Sequence, residues 1–279
     1  MINRWIGIVT LGLMLSVNSA LVLRDLCPRW LASDPPISKA LRLQTGQRIE
    51  TQYGIFNGEG QRIGTSWTQS SRNEDITSIQ HRTILAGDTL PISLKFGALR
   101  LDTNMIYRDS DQVDEIRVYI YGLGFPIKLE GQHFPPDDFA CRWQVGEERG
   151  DWVIPGSYTR GLGDIIRPFD SLTELTVGQS WRLELLNPLT GLFSDFGAGD
   201  MTMEGIYVRV TRLEEIEHHG QRVEAFVLEA ENLRAWVSHK GTVMRQELTI
   251  PLVGTLVLVD EPYDDEMRQL EIQRTFRPE

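Results

Sequence analysis

From Arg48 onward the chain alternates apolar and polar residues with a period of two. This constrains the fold more than any other feature, because only a strand sends successive side chains to opposite faces. Ile49, Thr51, Tyr53 and Ile55 alternate with Glu50, Gln52 and Gly54, and Ile63, Thr65 and Trp67 resume the pattern. Asn57-Gly58 between them predicts a tight hairpin, since both central positions of such a turn need positive φ. The pattern returns in Leu99 to Tyr107, in Ile116 to Ile120 beyond an acidic turn at Asp109 to Glu115, and in a short piece at Cys141-Arg142-Trp143.

Asp151 to Asp170 is punctuated by glycine and proline and reads as a crossover between two halves. Strands then follow at Trp181 to Leu185, Ile206 to Val210, Val223 to Val227, Leu233 to Val237 and Val243 to Ile250, with turns at His218-His219-Gly220-Gln221 and Lys240-Gly241. Leu252 to Val259 is continuously apolar, as in a strand covered on both faces. Leu172 to Leu175 is the one candidate for a short helix in this region. The expected fold is mainly β: antiparallel curved sheets forming a clam or an incompletely closed barrel, preceded by one N-terminal transmembrane helix.

That helix is expected from Trp5 to Leu23, an apolar run without a formal charge between Arg4 and Arg24, interrupted by Thr10, Ser16, Asn18 and Ser19. A bilayer core about 30 Å thick needs roughly 20 such residues. The competing reading is a cleaved export signal, whose apolar core is about 7 to 15 residues long and ends in small residues such as Val17-Asn18-Ser19. The anchor is preferred because apolarity continues through Leu23, and it makes the membrane the first expected partner. Residues 1–31 are then the anchor, 32–39 a proline-containing spacer, 40–150 a first β-rich half and 151–279 a second, the two halves being open to reading as one continuous domain.

A net charge of −11 argues against nucleic acid, whose phosphates require basic patches. Cys27 and Cys141 are too few for a disulfide framework or a zinc motif. The chain has no Gly-x-Ser-x-Gly elbow, no His-Glu-x-x-His and no phosphate loop. Glu214, Glu215, Glu217, His218 and His219 have ligand chemistry but surround the glycine of an expected hairpin, and are read as a solvated turn. Asp109, Asp111, Asp114 and Glu115 lack the glycine and spacing of a calcium loop. His81 and His133 stand isolated, and His239 flanks a turn without an assignable partner. The reading therefore includes no enzyme, no cofactor and no metal.

Leu185 to Met203 interleaves turn formers with Leu189, Leu192, Phe193, Phe196, Met201 and Met203. So apolar a loop must be covered, either beneath the sheet or by a ligand or partner. These six residues are the expected contact site.

Val177-Gly178-Gln179, the hairpin Arg209 to Val227, and Ala235 to Gly241 followed by Val243 to Glu247 together resemble the bacterial extracytoplasmic β-clam proteins of unknown function. More loosely they resemble the lipoprotein-carrier fold, and the likeness spans roughly residues 175 to 260. It implies a curved sheet cupping an apolar ligand. Tyr53, Gly58, Ile63-Gly64 and Trp67 also resemble segments flanking transglutaminase-like domains, although no Cys-His-Asp core accompanies them. The resulting expectation is a membrane-anchored extracytoplasmic binding or accessory module that engages an apolar, lipid-like ligand or a membrane protein partner. Its alternative is a ligand-free structural subunit or assembly factor of an envelope complex.

Overall fold

The computed structural model describes residues 2–21, 33–86, 98–108, 112–122, 124–134, 138–159, 163–164, 166–169, 171–186, 203–250, 254–266 and 268–269. Helix α1 (Ile2–Leu21) is followed by a 3-10 turn (Lys39–Arg42) and eight strands: β1 (Arg48–Asn57), β2 (Arg62–Asn73), β3 (Ile76–Ala86), β4 (Ala98–Arg108), β5 (Glu115–Tyr121), β6 (Ile127–Phe134), β7 (Asp138–Val145) and β8 (Glu148–Pro155). A second 3-10 turn (Gly156–Thr159) leads to β9 (Gly163–Asp164), β10 (Ser180–Leu186), β11 (Met203–His218), β12 (Gln221–Ala230), β13 (Leu233–Ser238), β14 (Val243–Ile250) and β15 (Gly254–Glu261).

All strands join one sheet in the order β8-β7-β6-β5-β4-β3-β2-β1-β15-β14-β13-β12-β11-β10-β9. Pairing is antiparallel except at the edge, where β9 runs parallel to β10. The seam is β1 against β15, with Tyr53 opposite Asp260 and Ile55 opposite Leu258. Because the chain meanders outward from that seam in both directions, its two edge strands, β8 and β9, are consecutive in sequence.

That connectivity dictates curvature. Fourteen inter-strand steps of about 4.8 Å would set the edges of a flat sheet roughly 65 Å apart. The eight residues from Pro155 to Gly163 reach at most about 28 Å. The sheet must therefore curl until its edges approach. It stops short of closure among the described residues, where β8 pairs with β7 alone and carries Glu148, Arg149, Asp151 and Pro155, the charges and proline that blunt an edge.

The inner face gathers one hydrophobic core from nearly the whole sheet, including Ile55, Leu101, Val118, Leu129, Phe139, Trp181, Val210, Leu248 and Leu258. A smaller cluster of Ala225, Val227, Trp236 and Met244 lies on the opposite face of β12 to β14, near the root of the β11–β12 hairpin. The mainly β, incompletely closed antiparallel sheet thus agrees with the sequence pattern.

The membrane-spanning helix does not. Among the described residues no helix is long and apolar enough to cross a membrane. The twenty residues of α1 include Asn3, Arg4, Thr10, Ser16, Asn18 and Ser19, so its uninterrupted apolar part is well below the roughly 20 residues a span needs. The anchor expected at Trp5 to Leu23 is corrected accordingly.

Other differences are local. The β1–β2 connection is wider than a two-residue turn: Asn57 Oδ1 accepts hydrogen bonds from the backbone N–H groups of Glu59 (3.1 Å) and Gln61 (2.9 Å), and Gly60 supplies the positive φ of 80°. Ser171 and Leu172 form isolated bridges to Thr242 and Ser38 in place of a helix. In β15, Leu256 and Leu258 are buried while Val257 and Val259 are half-buried, so the outer face there is only partly covered.

Candidate functional site

Polar side chains interrupt the inner face where β1, β2, β3 and β15 meet. Alternation and register place Thr51 and Tyr53, Ser66 and Thr68, His81 and Thr83, and Thr103 in neighbouring inward positions. All of these but Thr51 are buried. Into this patch the segment Ile166–Phe169 inserts Arg167, only 2% exposed. Its guanidinium stacks over the Tyr53 ring at 4.1 Å, donates to Thr51 Oγ1 at 2.8 Å, and donates to Thr68 Oγ1.

Thr68 Oγ1 is also 2.6 Å from His81 Nδ1. The hydroxyl accepts from Arg167 and retains both a proton and a second lone pair, so it pairs with either tautomer of the His81 imidazole. Gln246 clamps the inserted segment by accepting from Phe169 N–H at 3.3 Å and donating to Phe169 C=O at 2.9 Å. The Tyr53 hydroxyl donates to the Val243 carbonyl at 2.6 Å. A buried cation is therefore held by a stacked ring and satisfied hydroxyls, as burial of charge requires.

Next to this patch is Asp260, the register partner of Tyr53 and the third inward residue after Leu256 and Leu258. The β11–β12 hairpin brings two imidazoles to it. β10 supports β11 only as far as Arg209, and β13 supports β12 only from Ala225, so the hairpin continues beyond both as a two-stranded arm. The arm ends in His219 and Gly220, with φ of 49° and 74°, between the paired residues His218 and Gln221. That is the two-residue turn the sequence predicts.

His218 Nε2 and His219 Nε2 each lie 3.4 Å from the same oxygen, Asp260 Oδ2, and the side chains of His218, His219 and Asp260 are 17%, 46% and 14% exposed. Burial first, then the adjacent His219, holds the His218 imidazole below its ordinary range, with Asp260 partly offsetting them. Burial lifts the Asp260 carboxyl above its ordinary range, against the opposing effects of His218, His219 and Arg167.

The structure thus joins residues that the sequence keeps apart. His218 and His219 stand at a turn, as expected, but face a carboxylate 41 residues away. His81 is not isolated. Arg167 and Asp260 were hidden, the first in an apparent crossover and the second behind an apolar run. Their one sequence signal is the row Leu256, Leu258, Asp260, in which an acid takes an inward position. His239 pairs with exposed Glu224 at 2.9 Å. Of the expected contact residues, Leu189, Leu192, Phe193, Phe196 and Met201 lie outside the described residues, while Met203 opens β11 opposite Leu186.

Hollows also adjoin the described strands, the first of them lined in part by Thr68, His81 and Thr103 of the polar patch. One of about 220 Å³ is bordered by Arg82, Asp102, Arg117, Tyr119 and, from the C-terminal segment, Tyr263 and Arg268. The other, of about 420 Å³, spans β5 to β8 between Glu115, Arg142 and Trp152.

Fold and site together define an open, barrel-like antiparallel β protein with a polar centre set into its core. No family model and no curated protein matches the chain. Among solved structures it is similar to a β-barrel-like protein of the domain of unknown function DUF1849 from Brucella abortus, at 7% identity and a TM-score of 0.40, covering 83% of this chain and 100% of that one. It is also similar to a DUF1089 family protein from Pseudomonas aeruginosa, at 16% identity and a TM-score of 0.31, covering 64% of this chain and 87% of that one. Neither likeness brings a function, and no link to lipoprotein carriers or transglutaminase-like proteins emerges.

Proposed function

We propose that this chain is a non-catalytic accessory module, working outside the cytoplasm, that engages a protein partner through the outer surface of its sheet. The observation carrying this reading is the filled inner face: apolar side chains from nearly the whole sheet form one core, and Arg167 occupies its polar centre. A carrier of apolar molecules needs a lumen of roughly 300 Å³ or more lined by apolar residues. Among the described residues, core side chains and Arg167 occupy this face.

The outer face offers an apolar contact instead. Phe134 and Val153 are 65% and 64% exposed, and register sets them on the same face of β6 and β8 with exposed Ala140 of β7 between them, beside the free edge. Contiguous exposed apolar groups next to an unpaired edge are features that protein contacts use. Export is supported by α1, whose apolar stretch matches the core of an export signal and whose Leu13, Met14, Leu15 and Val17 are exposed.

Photo-crosslinkers at positions 134 and 153, used in the chain's own host, test the reading. A discrete crosslinked protein, lost when the other of the two residues is changed to serine, is the expected result. Crosslinks to lipid alone, or none from either position, would reject it. N-terminal sequencing of the chain recovered from that host is expected to begin beyond Leu21.

A further inference from the structure

We propose that His218, His219 and Asp260 bind a divalent transition-metal ion of the zinc class, which ties the tip of the β11–β12 arm to the end of β15. This stands apart from the docking proposal and rests on other residues.

Three observations carry it. The first is donor geometry: one ligand atom from each of the three residues falls within 4.8 Å of the others, and both His Nε2 to Asp260 Oδ2 separations are 3.4 Å. That is long for a hydrogen bond to a carboxylate, which closes to about 2.7–2.9 Å. It fits two donors sharing one ion, because tetrahedral bonds of about 2.0–2.1 Å put neighbouring ligands roughly 3.3 Å apart. Two imidazoles and a carboxylate are donors that such an ion accepts.

The second is the backbone at His219. Its φ of 49° is a left-handed conformation that few non-glycine residues adopt, and that asparagine or glycine takes more readily. Histidine is among the few non-glycine residues that this conformation admits, and here it places a second imidazole ring 4.0 Å from that of His218, centroid to centroid. The third is the arm itself. Among the described residues, no strand flanks it beyond Val210 in β11 or before Ala225 in β12, and Ile216 and Val223 pack only near its root, so a bond at its tip would fix the far end. The exposed side of His219 leaves the fourth coordination position open to water.

The test uses the full-length chain without an affinity tag, stripped with EDTA and titrated with Co²⁺ and with Zn²⁺. The expected result is one ion per chain by equilibrium dialysis, visible absorption typical of tetrahedral Co²⁺, and a higher melting temperature with Zn²⁺. His219→Asn keeps a residue suited to positive φ, so the metal-free variant should melt no lower than the parent while binding Zn²⁺ at least tenfold more weakly. Asp260→Asn should weaken binding as much, and His239→Ala should leave it unchanged. Substoichiometric binding by the parent would overturn the proposal, as would parental affinity in both His219→Asn and Asp260→Asn. Loss of binding on His239→Ala with retention on His219→Asn would overturn it equally, by moving the ion to the Glu224–His239 pair.

Discussion

Arg167 is the side chain on which the inner face is organised, because it converts a row of inward hydroxyls into a satisfied network. Replacing it with methionine keeps much of the volume but takes one partner each from half-buried Thr51 and from Thr68, which keeps His81, and removes the cation near Asp260. Leaving buried polar partners unmatched costs about 2–4 kcal/mol, which urea unfolding should show as a lower midpoint with an unchanged slope. Arg167→Lys should recover less than half of that loss, since an ammonium neither stacks on Tyr53 as a planar group nor forks to two hydroxyls. Cys141 shows burial acting on a single group. Its thiol is buried in β7 and its pKa is pushed up to about 12, so almost no thiolate forms near neutral pH. Mass mapping after iodoacetamide treatment at pH 8 should find Cys141 unmodified in the native chain and alkylated in urea.

At the scale of elements, turns show how tightly the sheet is specified. Gly241 has a φ of 85°, and a Cβ there would sit 2.4 Å from the Leu172 carbonyl oxygen, while Gly220 has a φ of 74° with open space around it. Gly220→Ala should cost about 1 kcal/mol for its left-handed backbone alone, and Gly241→Ala about 2 kcal/mol or more once the clash is added; thermal unfolding of the two variants compares them directly. The same scale explains what was legible in the sequence. β4, β5 and β10 to β14 were readable because apolar residues hold their inward positions, and the His219-Gly220 turn was readable because its chemistry is local. β3 went unread because its inward row is Thr77, Ile79, His81, Thr83 and Leu85, mostly polar by composition although buried in the fold. β6 and β8 were masked by flanking prolines and glycines that bound these strands without breaking them. Alternation thus loses its signal where the inner face turns polar, which is where the candidate site stands. Nothing local could pair His218 with Asp260, because that contact depends on how far the arm outruns its neighbours.

At the scale of the whole molecule, the consecutive edge strands β8 and β9 force the sheet to curl, and the curled sheet buries apolar side chains from nearly all its strands on its inner face. The proposed contact module rests on three features: the apolar inner face, the buried Arg167, and the exposed Phe134 and Val153 beside the edge strand. The decisive measurement is native mass spectrometry of the full-length chain purified gently from its own host, before and after organic extraction and after chelation. No mass that organic solvent removes is expected; a metal ion, if retained, leaves only with the chelator. A reproducible, stoichiometric mass that extraction removes would contradict this expectation, and would mean that the inner face or the segment around Phe193 and Phe196 holds an apolar ligand.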